Sequence, residues 1–239
     1  MELVVCSDAA DLSRRAGALV TERLRARPEL VMAVPAGRTP RAMYAHLAAM
    51  HAGDPSLFAR QHVLAVDELC PPAPADGYFW RQIRAEFLNW ARIPPSQRHP
   101  FRVDAPDLEA MCRDYEAEID ALGGLDLVML GLGPNGHVAS NEPGGSFDSL
   151  TRPVTLRPET VSYILTDEVI QGAVSSRAVT LGLGTILAAR EVVVLVQGAH
   201  KVAAMKAMLE GPVTLAVPAS VLQRHPRCLV LAARDAVGR

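Results

Sequence analysis

A histidine and a glutamate follow a glycine-rich turn near the middle of this chain, and their types and spacing favour proton transfer. Residues 125–130 (LDLVML) are apolar except for Asp126 and predict a buried strand, and the sequence GLGPNGHVASNEPGG follows at 131–145. Glycines at the carboxyl end of a strand let the backbone approach a ligand closely, and ligands of open α/β sheets bind at that end. His137 can move a proton there, while Glu142 can orient the imidazole and raise its basicity. A lone histidine more often has no such role, but this combination favours a functional site.

A second turn, PAGRTP at residues 35–40, follows the strand predicted at 30–34 and precedes a predicted helix. Free backbone N–H groups and the positive end of a helix dipole favour anions, so Ala36 and Gly37 predict a phosphate or other anion site. Thr39 can cap the helix and donate its hydroxyl, and Arg38 adds a planar charge. The same residues also fit an ordinary helix start with a proline in its first turn. The GK[ST] ending of a nucleotide-binding P-loop is absent.

Two further strand ends carry charged side chains. Asp67 and Glu68 follow the strand predicted at 62–66, where a carboxylate can serve as a general base, although a solvated loop acid is the simpler interpretation. Adjacent side chains point in different directions, so we expect at most one of the two to face a site. Lys201 lies in the first turn of a predicted helix after the strand at 191–196. A cation is mildly unfavourable there, which favours pairing with a bound anion over a plain surface lysine.

Strand-like and helix-like segments alternate along the chain, which predicts a parallel sheet covered by helices on both faces. We expect a single domain, residues 1–239, with an α/β fold and an open, mostly parallel, doubly wound (Rossmann-like) sheet. The predicted strands lie at residues 3–6, 30–34, 62–66, 125–130, 179–181, 191–196 and 228–232. The predicted helices lie at residues 8–25, 41–52, 78–90, 106–122, 184–189, 200–209 and 218–225. Between residues 143 and 178 the pattern loosens, and we assign no element there.

Composition argues against several classes of protein. The net charge is −2, with 24 basic and 26 acidic residues and no long basic run, so nothing predicts a nucleic-acid surface. No apolar segment approaches the length that spans a bilayer, and the first residues do not read as a signal peptide. The cysteines at positions 6, 70, 112 and 228 are far apart, which predicts neither a metal site nor a disulfide framework. We therefore expect a cytoplasmic protein.

Taken together, these motifs resemble the glucosamine-6-phosphate deaminase/isomerase family, whose relatives include the 6-phosphogluconolactonases. The resemblance covers most of the chain. Residues 35–40 resemble the family's PTGxTP loop, residues 66–68 (VDE) its MDE motif, residues 131–145 its GxGxxGHIAFNEPGxS segment, and residues 178–187 (AVTLGLGTIL) its ALTxGxxTIL segment. The NEPG of residues 141–144 favours a deaminase, because lactonases typically read GHTASLFPG at this place.

The resemblance implies an enzyme that opens the ring of an amino-sugar phosphate, moves a proton between C2 and C1, and releases ammonia to leave fructose 6-phosphate. It implies no cofactor and no metal, a small sugar phosphate as the partner, and homo-oligomers among the assemblies. By resemblance Asp67 would be the base for the C1/C2 proton, His137 would protonate the ring oxygen, and Glu142 would hold and tune His137. The implied substrate and phosphate contacts are Ala36, Gly37, Arg38, Thr39, Glu68, Gly136 and Lys201.

Several positions depart from the family's pattern. Asn135 stands where many members have an aspartate in a triad with the histidine. A neutral amide cannot take a proton, but it can still orient the imidazole. Ser140 replaces the phenylalanine of HIAFNEP, and the lid segment at residues 69–74 lacks the family's tyrosine. The family usually carries an arginine for phosphate in a stretch that here reads ETVSYILT, residues 159–166, and we hypothesise that Arg38 replaces it.

Three alternatives stay open. The substrate can be a related amino-sugar phosphate, such as galactosamine 6-phosphate. A lactonase would use His137 to activate water and would need neither Asp67 as a carbon base nor Glu142. A sugar-phosphate-binding regulatory domain usually carries a helix-turn-helix segment at its amino terminus, whereas this chain starts on its first predicted strand, so we expect an enzyme.

Overall fold

Strands and helices alternate through residues 1–74, 76–168, 170, 172 and 174–238, which are the residues that the computed structural model describes. The strands there are β1 (Glu2–Cys6), β2 (Val31–Val34), β3 (His62–Ala65), β4 (Asp67–Leu69), β5 (Arg98–His99), β6 (Leu127–Gly131), β7 (Arg152–Thr155), β8 (Arg177–Thr180), β9 (Glu191–Val196) and β10 (Cys228–Ala233). The α-helices are α1 (Ala9–Ala26), α2 (Arg38–His51), α3 (Tyr78–Ile83), α4 (Leu108–Ala121), α5 (Pro158–Ile164), α6 (Leu183–Leu187), α7 (Val202–Glu210) and α8 (Arg234–Val237).

A parallel sheet of seven strands forms the centre of the molecule, in the order β1-β10-β9-β6-β2-β3-β5. Its inner strands β2, β6 and β9 are mostly apolar and mostly buried, because helices cover a parallel sheet and leave no strand face in water. The α/β fold with an open, mostly parallel sheet that the sequence predicts is confirmed.

The order of the strands places a binding crevice between β2 and β6. From β2 the chain continues to β3 and β5 on one side, whereas from β6 it continues to β9 and β10 on the other. Loops that follow two such neighbouring strands diverge, and the gap at the carboxyl edge of the sheet is where α/β proteins bind ligands. The turns after β2 and β6, which the sequence singles out, therefore meet at this point.

The first helix begins where the sequence predicts because Asp8 caps it. The Asp8 carboxylate accepts a hydrogen bond of 2.8 Å from the backbone N–H of Asp11, which satisfies one of the free donors of the first turn. Residues 12, 16, 20 and 24 recur every fourth position and are buried against the sheet side of the helix.

Helix α2 begins at Arg38, three residues earlier than predicted. Its N-cap is Gly37, whose φ of 107° lies in the region that favours glycine, and no side chain caps the helix. The expectation that Thr39 caps this helix is therefore wrong. Arg38 and Thr39 instead lie in its first turn, and their side chains are available to the crevice.

A second sheet of three strands is absent from the prediction. In it β4 pairs antiparallel with β8, and β8 pairs antiparallel with β7. β7 has four residues, one of them Pro153, and α5 has seven, so neither is long enough to show a period in the sequence. Only Val66 separates β3 from β4, so the chain changes sheets at the rim of the crevice.

Two predicted helices differ in type from the prediction. The segment predicted at 78–90 is α3 followed by a π turn at Arg84–Leu88, and the segment predicted at 218–225 is a 3₁₀ helix at Pro218–Arg224. Within the described part of the chain, no helix combines the length and the apolar composition needed to cross a membrane.

Candidate active site

A cavity of about 170 Å³ opens at the carboxyl ends of β2, β3, β6 and β9. The predicted site residues that line it are Ala36, Gly37, Arg38, Thr39, Asp67, His137 and Lys201. The remaining four, Glu68, Asn135, Gly136 and Glu142, lie outside its lining. Strand ends that are far apart in sequence thus bring a carboxylate, an imidazole, an ammonium and a guanidinium to one cavity.

Asp67 lies at the start of β4, and its carboxylate faces the cavity. Ser140 Oγ donates a hydrogen bond of 2.7 Å to Asp67 Oδ2, and Thr180 Oγ1 accepts one of 3.1 Å from the Ser140 backbone N–H. Burial raises the pKa of Asp67 to about 6, and the Ser140 hydrogen bond opposes that rise. Asp67 is therefore ionised at neutral pH and more basic than an exposed aspartate, which suits a general base.

Glu68, for which the resemblance implies a substrate contact, does not line the cavity. Its side chain points away from the cavity, because neighbouring residues of a strand face opposite sides. The carboxylate accepts hydrogen bonds from the backbone N–H groups of Leu69, Tyr78, Phe79 and Trp80, at 2.7 to 3.1 Å. Glu68 therefore fixes the start of α3 beside the site.

His137 is held through an amide. Asn135 Nδ2 donates to Glu142 Oε2 at 2.9 Å, and Asn135 Oδ1 lies 2.7 Å from His137 Nδ1. Because the carboxylate oxygen accepts, Asn135 must present its NH₂ group to Glu142 and its carbonyl to the histidine. His137 Nδ1 therefore carries the proton, and its Nε2 keeps a free lone pair.

The charge state of His137 follows from its surroundings. Burial lowers the pKa of His137 to about 4; the charge of Glu142 opposes this shift, and the charge of Lys201 adds to it. The imidazole is thus neutral at pH 7. A neutral imidazole with a free Nε2 accepts a proton before it can deliver one.

Glu142 acts on His137 through an intervening residue, Asn135. Glu142 reaches His137 through hydrogen bonds to and from Asn135. Glu142 Oε1 also accepts a hydrogen bond of 3.0 Å from the backbone N–H of Arg157, the residue that precedes α5. The same carboxylate therefore fixes the histidine and the start of a helix that lines the cavity.

Glycines shape the turn that carries His137. Gly136 adopts a φ of 83°, and a Cβ there would lie 2.8 Å from Val217 Cγ1, so the turn requires a glycine at this position. A Cβ at Gly133 would lie 2.2 Å from Cε1 of the His137 ring. The imidazole occupies its position only because residue 133 has no side chain.

The part of the cavity around Lys201 and Arg38, here called its cationic end, carries positive charge. Lys201 is 5% exposed, and among the described residues no carboxylate forms an ion pair with it. Burial, and to a smaller degree the charge of Arg38, lowers the pKa of Lys201 to about 8. Since an unpaired buried charge is costly, this end of the cavity favours an anionic ligand.

Several residues that line the cavity were not predicted from the sequence to do so. They are Phe79, Gln82, Ser140, Thr160, Tyr163, Ile164, Asp167 and Ile170. Ser140 and Tyr163 lie in stretches that depart from the family's pattern, and that departure is the signal that could have singled them out. Among the described residues, no three His, Cys, Asp or Glu side chains are grouped so as to hold a metal ion.

Comparison with known sequences agrees with the motifs. Residues 7–230 match the profile of the family described as glucosamine-6-phosphate isomerases/6-phosphogluconolactonase. The glucosamine-6-phosphate deaminase of Pseudarthrobacter chlorophenolicus is 38% identical over 234 residues, which cover 97% of this chain and 89% of that protein. The glucosamine-6-phosphate deaminase of Thermoanaerobacter pseudethanolicus is 32% identical over 239 residues, which cover 99% of this chain and 94% of that protein.

Comparison with solved structures agrees with the fold. A monomeric glucosamine-6-phosphate deaminase superposes with a TM-score of 0.92 and 30% identity, over 100% of this chain and 99% of that one. A 6-phosphogluconolactonase from Trypanosoma brucei superposes with a TM-score of 0.75 and 24% identity, over 99% and 97% of the two chains. The second likeness concerns the fold alone.

Proposed function

The chain belongs to the family of glucosamine-6-phosphate isomerases and 6-phosphogluconolactonases, and from that premise we propose that it is a glucosamine-6-phosphate deaminase. The net reaction takes up water and converts glucosamine 6-phosphate to fructose 6-phosphate and ammonia. The observation that carries the proposal is the Asp67 carboxylate in the wall of the cavity that also holds His137. Lactone hydrolysis needs no base for a carbon-bound proton, whereas an aldose–ketose isomerisation does.

Ring opening is the step that we assign to His137. In this step the anomeric hydroxyl loses its proton, the bond between C1 and the ring oxygen breaks, and the ring oxygen gains a proton. Because its pKa is lowered to about 4, the imidazole starts neutral, so Nε2 takes the anomeric proton and returns it to the ring oxygen. Asn135 keeps the other nitrogen protonated throughout.

Proton transfer between carbons is the step that we assign to Asp67. Its carboxylate takes the proton from C2 of the open aldehyde, while O1 takes a proton from solvent and a C1–C2 enolamine forms. The protonated Asp67 then gives the proton to C1, which leaves an iminium at C2. Water adds to that iminium, ammonia departs and one proton returns to solvent, so the carbonyl of fructose 6-phosphate forms at C2. A carboxylate with a pKa of about 6 suits both halves of this exchange.

Ammonia release from the purified protein tests the proposal. Glucosamine 6-phosphate, galactosamine 6-phosphate and 6-phosphogluconolactone are compared in parallel, with Asp67→Asn as the control. Ammonia from glucosamine 6-phosphate that the variant loses supports the proposal. If only galactosamine 6-phosphate yields ammonia, then that sugar phosphate is the substrate. Lactone hydrolysis that survives the Asp67 change, without ammonia, contradicts it.

We expect activity to fall on the acid side of about pH 6. Asp67 must be ionised to take a proton, so kcat falls tenfold for each pH unit below its pKa. The substrate phosphate also titrates near pH 6, so Ser140→Ala separates the two groups. Losing the Ser140 hydrogen bond raises the pKa of Asp67, and the acid limb of kcat moves to higher pH.

The control for this pH profile is Ser162→Ala, which removes an exposed hydroxyl from α5. Its acid limb coincides with that of the unaltered protein. An acid limb that Ser140→Ala leaves in place would mean that the substrate, not Asp67, sets it.

Gly133→Ala is expected to lower kcat by roughly 10²-fold, because displacement of a catalytic group by about 1 Å has an effect of that size. The added Cβ forces the His137 ring out of its position, while the backbone at residue 133 accepts alanine without strain. The measurement is kcat for ammonia release, with Gly53→Ala, where a Cβ meets nothing within 4 Å, as the matched control. Equal kcat values in the two variants would show that the ring position is not critical.

Two further properties stay proposals. We propose a cytoplasmic enzyme, which is supported by four buried cysteines, none of which forms a disulfide. A homo-oligomer stays a prediction, and the molecular mass of the protein in solution tests it. The solved deaminase named above is monomeric.

A further inference from the structure

The cationic end of the cavity is arranged around one aromatic ring. Lys201 Nζ lies over the ring of Tyr163, 4.4 Å from its centroid, and Arg38 Cζ lies over the same ring at 5.1 Å. Arg38 Nη2 also donates a hydrogen bond of 2.9 Å to Thr166 Oγ1, just beyond α5. Tyr163 thus contacts both cations that border this end of the cavity.

A ring stabilises these cations without cancelling their charge. The face of an aromatic ring attracts a cation through its quadrupole but carries no net charge. A carboxylate at the same place would pair with Lys201 and repel an anionic ligand. With Tyr163 there, both positive charges are kept at this end of the cavity, and together they match the charge of a phosphate group of about −2.

We propose that Tyr163 is a positioning residue, whose ring holds Lys201 and Arg38 as a two-cation subsite for the phosphate end of the substrate. The inference rests on the proposed function for the identity of the substrate, but not for the binding of an anion. It also gives a physical role to the stretch at residues 159–166, which has no arginine. The ring holds in place an arginine that comes from α2 instead.

Calorimetric titration with inorganic phosphate tests the subsite without any turnover. Tyr163→Leu removes the ring and keeps an apolar side chain, whereas Tyr163→Phe keeps the ring and removes only the hydroxyl. We expect the leucine variant to bind phosphate on the order of 10-fold more weakly, given the strength of two cation–π contacts. The phenylalanine variant binds within about twofold of the unaltered protein, since the ring face is what the cations contact.

Kinetics separate positioning of the anion from a general loss of structure. Tyr163→Leu raises KM for glucosamine 6-phosphate by about the same factor as it weakens phosphate binding, and kcat stays within about twofold. In an Arg38→Ala background, which by itself raises KM, the same substitution has a smaller effect, because one of the two cations is already gone. Equal thermal midpoints show that each variant is folded.

The phosphate affinities and the KM values each include an outcome that overturns the inference. Phosphate binding by Tyr163→Leu that equals that of the unaltered protein overturns the inference, and so does a phenylalanine variant as weak as the leucine variant. An unchanged KM for Arg38→Ala overturns the role in phosphate binding that we propose for Arg38. If the unaltered protein releases no ammonia but the phosphate affinities follow the expected order, the proposed function fails and the subsite stands.

Discussion

Asp67→Asn is expected to lower kcat for ammonia release by roughly 10²–10⁴-fold, the range typical for loss of a general acid–base group. The asparagine has nearly the same shape and can keep its contact with Ser140 Oγ, but it can neither take the C2 proton nor return it to C1. The measurement is steady-state kcat and KM with glucosamine 6-phosphate. KM should change little, because Asp67 is not one of the groups that we assign to phosphate binding.

The same substitution should not destabilise the fold. The pKa of Asp67 is raised from 3.8 to about 6, so ionisation is less favourable in the folded than in the unfolded chain. Folded stability therefore falls as pH rises from about 4 through about 6, and that loss persists at neutral pH. An asparagine has no charge and avoids the loss, so the thermal midpoint of the variant at pH 7 equals or exceeds that of the unaltered protein.

The matched control for Asp67→Asn is Asp148→Asn, which neutralises an exposed aspartate outside the cavity. Its kcat stays at the level of the unaltered protein. An Asp67→Asn variant with nearly full activity would remove Asp67 from the proton transfer and, with it, the main argument for a deaminase.

His137→Gln is the second substitution with a large expected effect, a fall in kcat of roughly 10²–10⁴-fold. Glutamine can donate and accept hydrogen bonds but cannot carry a proton from the anomeric hydroxyl to the ring oxygen. Ring opening then limits the rate, whereas the transfer from C2 to C1 by Asp67 is intact. Substrate deuterated at C2 distinguishes the two steps by the isotope effect on kcat.

The two variants should respond to deuterium in opposite ways. In His137→Gln the isotope effect on kcat falls towards one, because the C2–H bond breaks after the slow step. In Asp67→Asn it stays or grows, because breaking that bond is the slow step. A full isotope effect in the histidine variant would show that His137 takes part in the carbon proton transfer rather than in ring opening.

Asn135 illustrates how a departure from the family's pattern becomes understandable in three dimensions. The sequence shows only that an amide stands where many members have an aspartate. The structure places the Glu142 carboxylate 2.9 Å from that amide, on the side away from the histidine. An aspartate at position 135 would put two carboxylates in contact, whereas the amide donates to one neighbour and accepts from the other.

Most of the central sheet could be predicted from local sequence patterns. Apolar strands, capping aspartates and glycine turns act over a few residues, so α1, β6 and β9 lie within a few residues of their predicted bounds. The sequence predicts a strand at 179–181, within and beside β8, but β7, α5 and the pairing that forms the second sheet could not be predicted, because these short segments are stabilised by partners far away in the chain.

The sequence by itself determined the α/β class, the strand ends that carry chemistry, and the family, since the motifs at residues 35–40, 66–68 and 131–145 are local in the chain. Only the tertiary structure decided which side chains reach the cavity. It turned Asp67 inwards and Glu68 away, inserted Asn135 between Glu142 and His137, and placed Tyr163 under two cations. The physical reason is that side-chain direction depends on the pairing of strands and the packing of helices that meet across long stretches of sequence.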